Sequence, residues 1–272
     1  MPALQAVDTH AHVMRRDAPL AANRHSRPAR DVTVEEYLAL LDAHGITHGV
    51  LTAPSFYGSD NTILLDALAR SHGRLRGTVI VDPEIDLPAL HRLREAGVRG
   101  IRLNWIRRET IPDAASVEYQ RLFERVRDAG LHVEIYLEGP KLADMLPHVL
   151  RSGAPVVIDH FGHPDPARKL QCPGFRAVLS AVERGDAFVK LSAPYRLGGV
   201  DPRLYVDALL EAAGPERLMW ASDWPWVSHE NEFDYAQCLA WLAHWIPDMA
   251  QRTIVLRDTP ARLFGFTQGG NA

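Results

Sequence analysis

The sequence predicts a (β/α)8 barrel forming one domain over residues 1–272. Three observations carry this. Short apolar runs alternate with longer amphipathic stretches, giving eight strand–helix units. The runs are apolar on successive residues, as in parallel strands covered on both faces. And 272 residues suit a barrel of that kind. A doubly wound open sheet competes, but it would favour a glycine-rich phosphate loop after the first run. Here D-T-H-A-H, residues 8–12, stands in that place.

Taken in order, residues 4–9 form the first strand, followed by a loop rich in Arg, Pro and Ala. Thr33 with Glu36 three residues on is a capping-box signature, and Gly45 is the matching stop. Residues 47–53 give the second strand, and Ser59 or Asp60 caps the helix that ends before Gly73. Strand 75–81 leads to helix 87–96, stopped by Gly97; strand 98–104 leads to helix 115–129, stopped by Gly130. Strand 131–137 leads to helix 141–152 and Gly153; strand 155–159 leads to helix 174–184. Strand 187–191 leads to helix 202–213 and Gly214; strand 218–222 leads through a Trp-rich loop to helix 233–245. Residues 248–264 close the chain as terminal helices. There is no internal repeat, linker or low-complexity segment.

Hydrophobic residues make up 46% of the chain and charged residues 24%, which excludes disordered, collagen-like and coiled-coil classes. The net charge of −4 and the lack of a basic stripe speak against nucleic acid or an anionic membrane as partner. Cys172 and Cys238 form no C-x-x-C pair and are expected as small buried side chains without a disulfide. No secretory leader is visible, and no apolar run approaches the ~20 residues of a membrane span. A cytoplasmic protein is expected.

In a parallel barrel, reactive groups gather at the C-terminal ends of the strands. Those ends here carry His10 and His12, Ser55 and Tyr57, Arg102 with Arg107 and Arg108 just after, Tyr136 and Glu138, Asp159, His160 and His163, Tyr195 and Arg196, and Asp223. Of the thirteen histidines, four fall at this rim: His10, His12, His160 and His163. The remainder, His25 among them, fit surface or packing positions. Alternate residues of an extended segment face one way, so His10 and His12 turn their imidazoles to the same side. The first and last strands of a closed barrel are neighbours, which brings Asp223 to the same pocket. Guanidinium groups bind carboxylates bidentately. Arg102, Arg108 and Arg196, with Tyr57 and Tyr136, therefore suggest an anionic or polyoxygenated ligand. Trp220, Trp224 and Trp226 read mainly as packing, with Trp224 a possible wall of the pocket.

These motifs resemble a known family. D-T-H-A-H, A-P-S-F-Y-G-S-D-N, G-V-R-G-I-R-L-N, V-I-D-H-F-G and W-A-S-D-W-P, in this order over almost the whole chain, are similar to the amidohydrolase superfamily. More closely they resemble its lactonase branch, that of the 2-pyrone-4,6-dicarboxylate and sugar-acid lactonases. The resemblance implies a TIM barrel that hydrolyses a small anionic or sugar lactone. It implies Asp223 as the base that activates water, and His10, His12 and His160 around the lactone carbonyl. It implies Arg102, Arg108, Tyr136 and Arg196 as ligands of substrate carboxylates, with Ser55 and Tyr57 in the loop lining the pocket and His163 beside it.

Two positions depart from the pyrone lactonases. His163 stands where they carry an arginine, and P-S-F-Y-G is closer to the sugar-lactone members. Tyr136 stands where a binuclear amidohydrolase places a ligand histidine, which argues against two metals. The expectation is metal-independent hydrolysis. One divalent ion, such as zinc, on His10, His12, His160 and Asp223 is the alternative. The rival functions are a zinc-dependent decarboxylase of aromatic acids, a metal-dependent phosphodiesterase or nuclease, and a non-catalytic ligand-binding barrel.

Overall fold

The computed structural model describes residues 2–22, 24 and 26–267; His25 lies outside them. Eight strands form one parallel sheet in sequential order. They are β1 (Val7–Ala11), β2 (His48–Thr52), β3 (Leu75–Val79), β4 (Val98–Asn104), β5 (His132–Tyr136), β6 (Val156–Ile158), β7 (Ala187–Leu191) and β8 (Leu218–Trp220). Helices follow them as α1 (Val34–Ala43), α2 (Thr62–Arg70), α3 (Leu87–Glu95), α4 (Val117–Asp128), α5 (Gly139–Leu150), α6 (Pro173–Glu183), α7 (Arg203–Ala213) and α8 (Tyr235–Trp245). The barrel closes at its C-terminal mouth, where Asp223 N donates to His10 O at 3.0 Å and His12 N to Trp224 O at 2.9 Å. This is the (β/α)8 barrel that the sequence predicts. The closing bonds also set the last strand's acid in register with the first strand's histidines.

Local chemistry explains most boundaries. Thr33 Oγ1 accepts from Glu36 N at the start of α1, and Asp86, Ser116 and Asp234 cap α3, α4 and α8 in the same way. Two starts differ from expectation. Helix α2 begins after Asn61, not after Ser59 or Asp60: Asp60 Oδ1 instead accepts from Thr62 N at 2.9 Å, and Asn61 Nδ2 ties the loop to Ile80 O at 2.8 Å. Helix α8 begins at Tyr235, because Asp234 and not the preceding Phe233 can satisfy its first N–H groups. The terminal stretch is helical from Met249 to Phe264, with a π-helical turn at Ile254–Asp258.

The main core lies between strands and helices. A second cluster fills the lower barrel, where Val7, Val50, Val157, Phe188 and Met219 meet Phe264 and Phe266 of the terminal segment. Val7 and His10 are an odd number of residues apart, yet both face the barrel interior. A shift in the β1–β2 pairing between Asp8 and Ala11 allows this. Asp8 turns the other way and accepts from Ser222 N, Ser222 Oγ and Tyr235 Oη. Cys172 and Cys238 are buried free thiols. Trp224 stacks on Tyr37 at a centroid distance of 5.4 Å and is core; it is not among the residues lining the mouth cleft. No helix among the described residues is long and apolar enough to cross a membrane.

Candidate active site

The cleft at the mouth has a volume of about 590 Å³, counting the part open to solvent. Its floor is built around Asp223. This carboxylate is 2% exposed, and Oδ1 lies 3.6 Å from His10 Nε2, 3.7 Å from His12 Nε2 and 3.8 Å from His160 Nε2. Those spacings are too long for direct hydrogen bonds, and a water bridging Oδ1 and a ring nitrogen must sit to the cleft side of the line joining them. The other oxygen, Oδ2, accepts from Tyr195 Oη at 2.6 Å and from Arg196 Nη2 at 3.3 Å. One oxygen is held while the other faces three rings.

Each ring is oriented from behind. His12 Nδ1 lies 2.7 Å from the Thr52 carbonyl, which can only accept, so His12 carries its proton on Nδ1 when neutral. His160 Nδ1 meets Ser192 Oγ at 2.8 Å. His10 Nδ1 lies 3.1 Å from Lys190 Nζ and 3.2 Å from Asp159 Oδ1. Burial brings His160 down to about 3 and holds His10 well below its ordinary value, the Lys190 ammonium adding to the effect on His10. Both rings are therefore neutral at pH 7. Burial pushes the Asp223 carboxyl up, but its charged and hydrogen-bonding surroundings outweigh this and hold it well below the usual carboxylate range. With His160 neutral, Arg196 is the nearby cation that keeps Asp223 ionised at pH 7. Burial and then Asp223 raise the Tyr195 phenol well above its ordinary value, so Tyr195 remains a donor.

Beneath the floor the barrel holds charges instead of apolar side chains. Arg102 Nε and Nη2 donate to Asp159 Oδ2 at 3.1 and 2.8 Å, and Nη1 donates to Ala53 O. Lys190 Nζ donates to Glu134 Oε2 at 2.5 Å and lies 3.2 Å from Asp159 Oδ1. All four side chains are buried. With Asp223 and Arg196, the formal charges cancel, as burial requires.

The structure brings together His10, His12, His160, Asp223, Arg102, Arg196, Tyr136 and Ser55 around the cleft or its floor. It does not bring in every expected residue. Tyr57 Oη donates to Arg15 O at 2.6 Å and accepts from Arg15 N at 2.8 Å, pinning the loop after β1; its neighbour Phe56 lines the cleft instead. Arg108 is exposed to solvent, and Arg107, in the left-handed region at φ 59°, takes the place beside the cleft. His163 sits at φ 44° behind Tyr136, with ring centroids 5.9 Å apart, outside the lining. Arg102 lines the cleft, but most of its donors are already engaged by Asp159 and Ala53. The sequence reading missed Asn104, 7% exposed, which lines the cleft with Oδ1 buried and unpartnered. Its inward phase with Arg102 on β4 was the available signal.

Metal binding can be tested on the donor set. His10, His12 and Asp223, and separately His10, Asp159 and His160, each place one ligand atom apiece within 4.8 Å of one another, so the floor contains groups that could hold an ion. A ligating histidine usually donates its second ring N–H to a carbonyl or carboxylate. His12 meets that condition through Thr52. At His10 the Asp159 carboxylate, 3.2 Å away, meets it as well, while the Lys190 ammonium at 3.1 Å competes for the same ring nitrogen.

A (β/α)8 barrel whose mouth holds a buried carboxylate facing three imidazoles belongs to the class of hydrolytic barrel enzymes. The chain is a member of the amidohydrolase family, whose model matches residues 7–266. Among curated relatives, the 4-sulfomuconolactone hydrolase of Rhizobium radiobacter is 31% identical over 96% of this chain and 90% of its own. A candidate 2-pyrone-4,6-dicarboxylic acid hydrolase from Pseudomonas putida has a solved structure with TM-score 0.91 and 38% identity, covering 98% of this chain and 99% of that one. A similar candidate hydrolase from Acinetobacter baumannii, solved with citric acid bound, has TM-score 0.91 and 29% identity, covering 97% and 100%.

Proposed function

We propose that this protein hydrolyses small lactones bearing carboxylate or hydroxyl groups, with Asp223 as the base that activates water. The observation carrying this reading is the Asp223 carboxylate: Oδ2 is fixed by Tyr195 and Arg196, and Oδ1 faces three imidazole nitrogens at 3.6 to 3.8 Å. A water on the cleft side of them donates one proton to Oδ1 and is aimed by the rings. It attacks the lactone carbonyl as Asp223 takes its proton. The developing oxyanion meets the Tyr136 hydroxyl and His160, whose Nδ1 can accept from Ser192 Oγ and so leave its N–H on Nε2. The ring C–O bond then breaks, and the proton on Asp223 passes to the leaving oxygen.

A carboxylate held at low pKa is a weak base, and the substrate can correct this. Arg196 is the nearest cation to Asp223 that also lines the cleft. A substrate carboxylate that draws Arg196 to itself weakens its pull on Asp223 and raises the basicity of Asp223 when substrate is bound. Arg107 offers a second anion contact at the rim. The relatives named for lactones with acidic substituents, and the citrate in one of them, accord with such a pocket.

His10 Nδ1 meets both Asp159 Oδ1 at 3.2 Å and the Lys190 ammonium at 3.1 Å, so the floor offers a carboxylate acceptor behind the ring and a cation that competes with it. The proposed chemistry is carried by Asp223 and the rings and uses no metal. A decarboxylase of aromatic acids would depend on such an ion, and Tyr136 replaces a ligand histidine expected for it. The deciding experiment incubates chelator-treated protein with a panel of sulfonated, carboxylated and hydroxylated lactones and, separately, zinc-supplemented protein with the same lactones and with hydroxybenzoates. Ring opening of at least one lactone is expected. Carbon dioxide release from a hydroxybenzoate, with every lactone untouched, would replace this reading.

A further inference from the structure

The backbone of Asp223 has φ 59°, in the left-handed region that residues other than glycine seldom occupy. Such a conformation persists only where the surroundings over-determine it. Around Asp223 those surroundings lead back to one side chain, that of Asp8 on β1. Asp8 is fully buried and points away from the cleft. Its Oδ1 accepts from Ser222 N at 2.9 Å and from His10 N at 3.3 Å. Its Oδ2 accepts from Ser222 Oγ at 2.6 Å and from Tyr235 Oη at 3.0 Å.

Ser222 passes this grip along the chain. With its own proton given to Asp8, Ser222 Oγ accepts from Trp224 N at 3.0 Å. Asp223 N donates to His10 O at 3.0 Å. The N–H groups on either side of Asp223 are therefore fixed by Asp8, one directly and one through Ser222 Oγ. The N–H of Asp223 itself is fixed by the residue whose own N–H Asp8 binds.

We propose that Asp8 is a positioning residue: acting through Ser222, it holds Asp223 in the left-handed conformation and so aims Oδ1 at the three imidazoles. Other contacts hold Asp223 but do not do this. Tyr195 and Arg196 grip Oδ2, the far end of the side chain, and leave the backbone to be set elsewhere. The peptide joining Asp223 to Trp224 is held on its N–H by Ser222 Oγ and on its carbonyl by Trp226 N, at 2.8 Å. Of those two bonds only the first leads back to β1, through Asp8.

This role deepens the lactonase reading and, for catalysis, rests on it. A catalytic group displaced by on the order of 1 Å can lose about 10²-fold in rate.

The test combines crystal structures and steady-state kinetics of Asp8→Ala and Ser222→Ala, with Tyr235→Phe as control. Tyr235→Phe removes one partner of Asp8 from the same core without touching residues 222–224. In Asp8→Ala and Ser222→Ala, Asp223 is expected to leave the left-handed region and Oδ1 to move away from the ring nitrogens. On a lactone the wild-type protein hydrolyses, kcat is expected to fall at least about tenfold with KM within about twofold. Tyr235→Phe is expected to keep Asp223 in place and kcat within about twofold. An Asp8→Ala protein in which Asp223 keeps its φ would overturn the proposal. So would a kcat loss in Tyr235→Phe equal to that in Asp8→Ala, the mark of a core merely loosened. Should Asp8→Ala fail to fold, Ser222→Ala decides by the same two criteria. The crystal structures need no substrate. If the wild-type protein opens no lactone, the lactonase reading fails while the position of Asp223 in the variants still decides the role of Asp8.

Discussion

Tyr195 Oη donates to Asp223 Oδ2 at 2.6 Å, and this bond leaves Asp223 Oδ1 as the oxygen that faces the cleft. The phenol shares the carboxylate with Arg196 and keeps it from rotating. Tyr195→Phe removes one charge-assisted hydrogen bond, of about 1.5–3 kcal/mol. The expected result is a kcat about tenfold lower with little change in KM, since Tyr195 does not line the cleft. A variant with unchanged kcat would show that Asp223 holds its place without the phenol.

Arg196 and Arg108 are expected to behave differently although the sequence presents them alike. Arg196 lines the cleft beside Asp223, whereas Arg108 is exposed. Arg196→Met should raise KM for a carboxylated lactone at least about tenfold, the equivalent of about 1.4 kcal/mol of binding. Arg108→Met should leave KM within about twofold, near the limit for surface changes. Steady-state kinetics of both variants on one substrate checks the pair. A large effect at Arg108 would show that its loop folds over the bound substrate.

Acid should destabilise the fold in a window that His160 sets. Its folded value of about 3 lies below the unfolded value of about 6.5, so the unfolded chain binds the extra proton. This contribution is complete above pH 6.5 and declines as pH falls toward 3. His48, brought to about 4 by burial, acts in the same direction. Asp159 and Asp223, both depressed, add their losses below about pH 4. Asp8, raised by burial, acts oppositely and offsets part of them. Thermal unfolding from pH 7.5 to 4.5 should show a falling midpoint, with a shallower slope in His160→Gln. Equal slopes would remove His160 as a cause.

Gly100 makes room for His132. A Cβ on Gly100 would lie 2.2 Å from His132 Nε2 across the β4–β5 pair. His132 is buried and both ring nitrogens lack hydrogen-bond partners. Gly100→Ala should cost about 1–3 kcal/mol by overpacking. Adding His132→Ala should recover part of that loss, so the two changes are non-additive in a double-mutant cycle of denaturant unfolding. Simple additivity would mean that His132 moves aside freely.

How far the sequence showed this site depends on whether each residue's direction is set locally. The eight-unit rhythm was legible because apolar runs and stop glycines are local signals. His10, His12 and Asp223 were legible because strand alternation and barrel closure fix their side. Tyr57 and Arg108 were misplaced because distant or irregular backbone decides them: Tyr57 answers to Arg15, 42 residues away, and the left-handed Arg107 changes which arginine meets the cleft. The charged floor was hidden for a related reason. Lys190 and Glu134 look like ordinary polar interruptions of apolar strands, and only the β5–β7 neighbourhood inside the barrel pairs them. Arg102 lines the cleft, but its partner Asp159 could not be read from either strand alone.

The central claim is that Asp223 activates the attacking water. The most direct measurement is the single-turnover rate of ring opening by Asp223→Asn, on a lactone the wild-type protein hydrolyses, after circular dichroism shows the variant folded. A loss of about 10²–10⁴-fold is expected, the range for a positioned general base. Turnover near the wild-type rate would contradict the account.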